Sequence, residues 1–103
     1  NQILTSVNDQ EIVAHKFKLY QNYPNPFNPV TRIKYAVSST QNVKLKVFDL
    51  LGREVATLVN EPKQAGEYEI ELDANKYGLT SGVYFYQLRA GEFISTKKFV
   101  YLR

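Results

Sequence analysis

Three segments of this chain alternate strictly between apolar and charged or polar residues. Thr31-Arg-Ile-Lys-Tyr-Ala-Val37 sets Ile33, Tyr35 and Val37 on one face and Arg32 and Lys34 on the other. Val43-Lys-Leu-Lys-Val47 repeats the scheme, and Tyr68-Glu-Ile-Glu-Leu72 does so again with Glu67, Glu69 and Glu71 toward water. Successive side chains of a strand point to opposite faces, so this pattern is what a half-buried antiparallel strand requires. An amphipathic helix does not fit, because lysines or glutamates would interrupt every apolar stripe. Val55-Ala-Thr-Leu-Val59 and Gly82-Val-Tyr-Phe-Tyr-Gln-Leu88 are more apolar and are expected nearer a sheet centre. Phe17 to Tyr20 supplies a first strand and Phe93 to Leu102 a last, seven in all.

The breaks between these strands carry turn chemistry. Asp49-Leu-Leu-Gly-Arg53 joins two strands, with Gly52 free to adopt positive φ. Glu61 to Gly66 is expected to link the next pair, Asp73 to Gly82 to cross between sheets, and Ala90-Gly-Glu92 to form a tight hairpin. Short strands with turns roughly every 8–12 residues predict an all-β fold, a seven-stranded antiparallel immunoglobulin-like β-sandwich. Residues 17–103 would form that domain. Asn1 to Lys16 lacks a sustained period and reads as a linker to something on its N-terminal side, with a short strand at Ile12 to Ala14. A chain of 103 residues that is 44% hydrophobic and 14% aromatic can build one real core, which a disordered tail could not.

Composition excludes much chemistry. The 13 Lys and Arg exceed the 10 Asp and Glu only slightly, and they alternate along strands instead of gathering, so no nucleic-acid partner is expected. Cysteine is absent, which removes disulfides, thiolate metal sites and cysteine nucleophiles. No window approaches the roughly 20 apolar residues of a membrane helix. Methionine is also absent and Asn1 to Ala14 has no leader pattern, so the sequence is expected to be a piece of a longer chain, and any export signal would lie on another part of it. The single histidine, His15, falls in the linker, and Ser38, Ser39, Ser81 and Ser95 occupy turns or strands. No nucleophile–base pair emerges, and no enzyme is expected. No cofactor is expected either, since no phosphate loop or metal-ligand spacing appears. A calcium ion near Asp73 and Asn75 would find one carboxylate and one amide against the six to eight oxygen ligands it takes, so an Asx-turn is the better reading.

Tyr23-Pro-Asn-Pro-Phe-Asn-Pro29 stands apart. Its three prolines fix φ and remove three backbone donors, so it cannot lie in a central strand. It is expected to form a rigid bend at a sheet edge with Tyr23 and Phe27 as buried anchors. Direct docking of a partner on the exposed prolines is the alternative.

Taken in order, the motifs resemble a known family. Tyr23-Pro-Asn-Pro-Phe-Asn-Pro-Val-Thr-Arg-Ile-Lys-Tyr35 resembles the opening motif of the C-terminal sorting domains of type IX secretion. Val43-Lys-Leu-Lys-Val-Phe-Asp-Leu-Leu-Gly-Arg-Glu-Val55 resembles their central motif, and Ser81-Gly-Val-Tyr-Phe-Tyr-Gln-Leu88 with Gly91 and Lys97-Lys98 their closing one. The resemblance runs from about Leu19 to Arg103, and departs at Asn75-Lys-Tyr77, which lengthens the Asp73 to Ser81 connection. It implies a non-catalytic address at the C-terminus of a larger protein that crosses the periplasm and outer membrane of a Bacteroidetes-type bacterium to be secreted or held at the cell surface. The implied partners are type IX translocon components and a sortase-like peptidase. The peptidase would cut upstream of Leu19 and join the cargo to surface lipopolysaccharide. The residues expected to form the recognised surface are Pro24, Asn25, Pro26, Phe27, Asn28, Pro29, Gly52, Arg53, Gly82, Tyr84, Gly91, Lys97 and Lys98.

Plainer roles compete for several of these. Arg53 could pair with Asp49 across its own turn, and Lys97 and Lys98 could charge a strand edge against aggregation. Tyr84 and Tyr86 are expected in the core, one of them making a tyrosine-corner hydrogen bond. Two other functions stay open at this point. A carbohydrate- or protein-binding sandwich would need several aromatics exposed in one platform. A structural module would follow a more distant likeness to flagellar hook-capping proteins.

Overall fold

The computed structural model describes residues 16–103, so the strand expected at Ile12 to Ala14 and the residue His15 lie outside the described residues. Seven strands follow in order: β1 (Lys18–Leu19), β2 (Val30–Val37), β3 (Gln41–Phe48), β4 (Glu54–Lys63), β5 (Gly66–Asp73), β6 (Gly82–Ala90) and β7 (Phe93–Tyr101). They form a three-stranded sheet, β1-β2-β5, and a four-stranded sheet, β4-β3-β6-β7. Every pairing is antiparallel. The fold is the expected seven-stranded sandwich.

Alternation decides which side chains meet between the sheets. Ile33, Tyr35 and Val37 of β2 and Leu72 of β5 face Val43, Leu45 and Val47 of β3, Tyr86 and Leu88 of β6 and Phe99 and Tyr101 of β7, all of them buried. Tyr35 lies opposite Tyr68 across β2 and β5, and their rings stack at 5.4 Å. The charged partners of the same register, Arg32 with Glu71 and Lys34 with Glu69, fall on the outer face. Within-sheet hairpins join β3 to β4 and β6 to β7. The connection from Asp73 to Gly82 crosses between sheets as expected.

Several expectations are corrected. Val55 to Val59 belongs to β4, which is an edge strand; β3 and β6 hold the centre of the sheet. Register shifts after Leu45 and after Val47 leave Leu58 and Val55 as extra residues on β4. Each bulge resets the phase, so Ala56 and Val59 both turn inward although three positions apart. The segment is apolar because of its bulges and not because both faces are covered. Glu61 to Gly66 is also less of a turn than its composition suggests: β4 continues to Lys63, leaving Gln64 and Ala65 as the connection. Pro62 stands opposite Asn42 in this strand. An edge strand tolerates proline because one side of its backbone has no ladder to complete. At the termini of the domain, the strand expected over Phe17 to Tyr20 shortens to Lys18–Leu19, and the last ends at Tyr101.

Candidate functional site

The proline segment ties the two sheets together at one end of the sandwich. Tyr23 N–H donates to Arg32 C=O and Arg32 N–H to Tyr23 C=O, both at 3.0 Å, which fastens the segment to β2. Four residues later Phe27 N–H donates to Val100 C=O and Leu102 N–H to Phe27 C=O, both at 3.1 Å, which fastens it to the free edge of β7. The Asn25 side-chain oxygen accepts the Val100 N–H at 2.9 Å. A strand edge that would otherwise offer open hydrogen-bonding groups is covered in this way. Phe27 is buried, edge-on to Phe99 at 5.1 Å and stacked on Tyr101 at 5.4 Å. Tyr23 is the correction: its side chain is 80% exposed. Tyr23 anchors the bend through its backbone alone.

Beneath the bend lies a buried polar cluster that the sequence reading missed. Asn22 and Thr31 are buried. The Asn22 side-chain N–H groups reach Thr31 Oγ1 at 3.0 Å and Pro24 C=O at 3.2 Å, and the Thr31 hydroxyl donates to the same carbonyl at 2.8 Å. Asn22 N–H donates to the Tyr86 hydroxyl at 2.8 Å, and that hydroxyl donates to Tyr20 C=O, also at 2.8 Å. Burial pushes the Tyr86 phenol up to about 12, with the Asn22 N–H acting in the opposite sense. One signal was available: Thr31 is polar at an inward position of the β2 alternation, and a polar group there needs a partner. Tyr84 makes the tyrosine-corner bond, donating to Thr80 C=O at 2.8 Å and accepting Thr80 N–H at 3.1 Å.

The β3–β4 turn is built differently. The Asp49 Oδ1 atom accepts the N–H groups of Leu51 and Arg53 at 2.9 Å, while Oδ2 takes the Arg53 Nε at 2.8 Å. The Arg53 N–H first, and then the Arg53 side chain and Leu51 N–H, hold the Asp49 carboxyl below its ordinary range. Gly52 adopts φ 84°, a conformation that side chains disfavour, and its N–H closes the turn on Asp49 C=O at 3.0 Å. Leu50 and Leu51 project into solvent, 65% and 77% exposed. Between them and Thr80–Tyr84 runs a shallow groove of about 210 Å³.

The structure therefore gathers part of the expected surface. Gly82 pairs with Tyr101, which Phe27 bridges, and Ser81 Oγ accepts the Arg103 N–H at 2.9 Å. Pro24, Asn25, Pro26, Asn28 and Pro29 thus share one end of the sandwich with Gly52, Arg53 and Gly82. Phe27 and Tyr84 stand under that end as buried supports. Gly91 lies at the opposite end with φ 61°, where a Cβ would come within 3.1 Å of the Gln41 side chain. Lys97 stands opposite Tyr86 and Lys98 opposite Phe85, midway along β7, so they do not join the gathered surface. Asp73 makes the expected Asx-turn, its Oδ1 accepting Asn75 N–H at 2.9 Å.

Residues 21–102, from the proline bend through the final strand, match the secretion system C-terminal sorting domain. The chain belongs to that family. As a sorting domain of type IX secretion it is a non-catalytic unit that marks its chain for the cell surface or for release. Latent PorU of Porphyromonas gingivalis has a similar fold, with a TM-score of 0.64 and 21% identity over 82% of this chain. PorZ of the same bacterium, described as an essential surface component of its type IX secretion system, aligns with a TM-score of 0.56 and 19% identity, also over 82%. The sorting domain spans 9% and 11% of those two chains. No curated protein matches it in sequence.

Proposed function

We propose that this sorting domain directs a larger cargo across the outer membrane by presenting a folded surface to the type IX translocon. Residues 17–103 are the address and residues 1–16 the tether to the cargo. The observation that carries this reading is the family match across all three motifs, from the proline bend to the last strand. The recognised surface is the end where the proline bend, the Gly52–Arg53 turn and Gly82 converge, with Leu50 and Leu51 at its tip. After passage a sortase-like peptidase cuts upstream of Leu19 and joins the cargo to lipopolysaccharide. A sugar-binding role finds less support: among the described residues Tyr23 is the one aromatic ring that is largely exposed, and stacking needs a platform of several.

The test is to fuse the chain to a periplasmic reporter in a type IX-competent host and in a translocon-null strain. Surface delivery in the first and retention in the second are expected; equal delivery in both rejects the reading. Mass spectrometry of the delivered reporter should place its new C-terminus before Leu19.

A further inference from the structure

The outer faces of the two sheets handle charge in opposite ways. On β2 and β5 the register sets Arg32 opposite Glu71 and Lys34 opposite Glu69. Arg32 reaches Glu69 at 3.7 Å and Glu71 at 3.6 Å. On β3 and β6 the register sets Lys44 directly opposite Arg89, with Lys46 opposite Gln87. Like charges facing each other across an antiparallel pair destabilise it. Among the described residues no carboxylate pairs with Lys44 or Arg89, while Lys46 meets Glu54 at 3.1 Å. The three cations line an open groove of about 320 Å³ with Phe48, Gln87 and Glu54, the carboxylate that pairs with Lys46 and leaves Lys44 and Arg89 as the unpaired cations of the groove. Farther across the same face Lys98 follows Phe85. A sheet that needed only a soluble face could have used the acid–base pairing of its neighbour.

The geometry also selects the kind of anion. β3 and β6 are interior strands, so their backbone N–H groups are engaged in ladders on both sides. Compact anions such as phosphate are held by convergent backbone donors as well as by Arg and Lys side chains, and this face offers side chains alone. It offers instead cations spaced roughly 5 Å across the ladder and about 7 Å along β3. Alternate side chains of an extended polypeptide repeat at nearly that second interval, about 6.6–6.8 Å. We propose that the outer face of β3 and β6 docks an extended acidic segment of a partner protein, whose alternate carboxylates meet Lys44, Lys46 and Arg89. The half-buried Phe48 ring adds an apolar contact at the end of the row. This face adjoins the end proposed for the translocon only at Phe48 and Glu54, and its test does not depend on export.

The experiment titrates the chain with a fluorescently labelled peptide of alternating Glu and Val, followed by anisotropy at low salt. Saturable binding that weakens as salt rises is expected. Lys44→Glu should weaken it about tenfold or more, the ratio that a single lost charge contact of ordinary strength produces. The same substitution should raise the melting temperature, because a carboxylate at position 44 faces Arg89. Arg89→Glu should repeat both effects, and Arg32→Glu on the other sheet should leave the affinity unchanged. No binding, or equal loss with Arg32→Glu and Lys44→Glu, overturns the proposal. So does polygalacturonate binding that Lys44→Glu abolishes when the peptide does not bind, since the occupant is then an anionic glycan.

Discussion

The proline bend and the β3–β4 turn sit at the same end of the sandwich and are held there by opposite means. The bend is tied across the chain: Asn22 and Tyr20 bond to Tyr86, Asn25 to Val100, and Phe27 to both neighbours of Tyr101. Every hydrogen bond that shapes the turn begins and ends between Asp49 and Arg53. A change in the bend therefore propagates into the core, whereas a change in the turn stays where it is made. Two segments that look alike as family motifs thus do different work. One sets the shape of the domain, and the other is free to vary its surface without disturbing that shape.

The largest effect should come from breaking the bend. Phe27→Ala removes a ring packed on Phe99 and Tyr101, and a buried Phe→Ala change costs about 3–5 kcal/mol. Denaturant unfolding would measure it. A loss no greater than that of a turn variant would show that the bend is not a staple.

Tyr86→Phe should come next. It keeps the ring and leaves the Asn22 N–H and Tyr20 C=O without their partner, at about 1–3 kcal/mol. Tyr86 also predicts an alkaline limit. Its phenol is raised to about 12 in the fold, from an ordinary value of 10.0, so folding favours the protonated form. The stability this contributes is complete below pH 10 and is lost as pH rises through about 12. The Phe variant should lose less stability than the parent across that window in pH-dependent unfolding. Thr31→Val should be milder or comparable, because Asn22 keeps one acceptor, the Pro24 carbonyl, after the hydroxyl is gone.

These residues also mark where the sequence stops being readable. The phases of β2, β3 and β5 were legible because each buries one face, and a one-residue slip would expose Ile33, Leu45 or Leu72. The place of β4 was not, since the bulges at Leu58 and Val55 break the period that the reading relies on. In the proline segment both aromatics looked alike. Which one turns inward depends on the backbone bridges to Arg32 and Tyr101, and those are set by residues far along the chain. The Asn22–Tyr86 bond spans 64 positions, so only the polar Thr31 at an inward phase hinted at it. The ordered motifs pointed to the family. Which of their residues share a surface had to come from strand register, and that register separated Gly91, Lys97 and Lys98 from the rest.

The smallest expected change in stability is at the turn, and it sharpens the contrast most. Leu50→Ser and Leu51→Ser alter side chains that already face solvent, so each should shift unfolding by no more than about 0.5 kcal/mol. Both leave the Leu51 and Arg53 N–H groups on Asp49 in place, and those bonds hold the hairpin. If surface delivery of a fused reporter falls while the melting curve stays put, the exposed leucines are read by the machinery, since loss of fold is excluded by the same sample. If delivery is unchanged, the two leucines are only the tip of a hairpin, and recognition must rest on Gly52 and Arg53, on the proline bend or on Gly82 beside it. Export variants of Arg53, or of exposed Pro26 or Asn28, that keep the fold would then have to carry the loss. Stability measured beside delivery therefore separates the segment that shapes the domain from the one that is recognised.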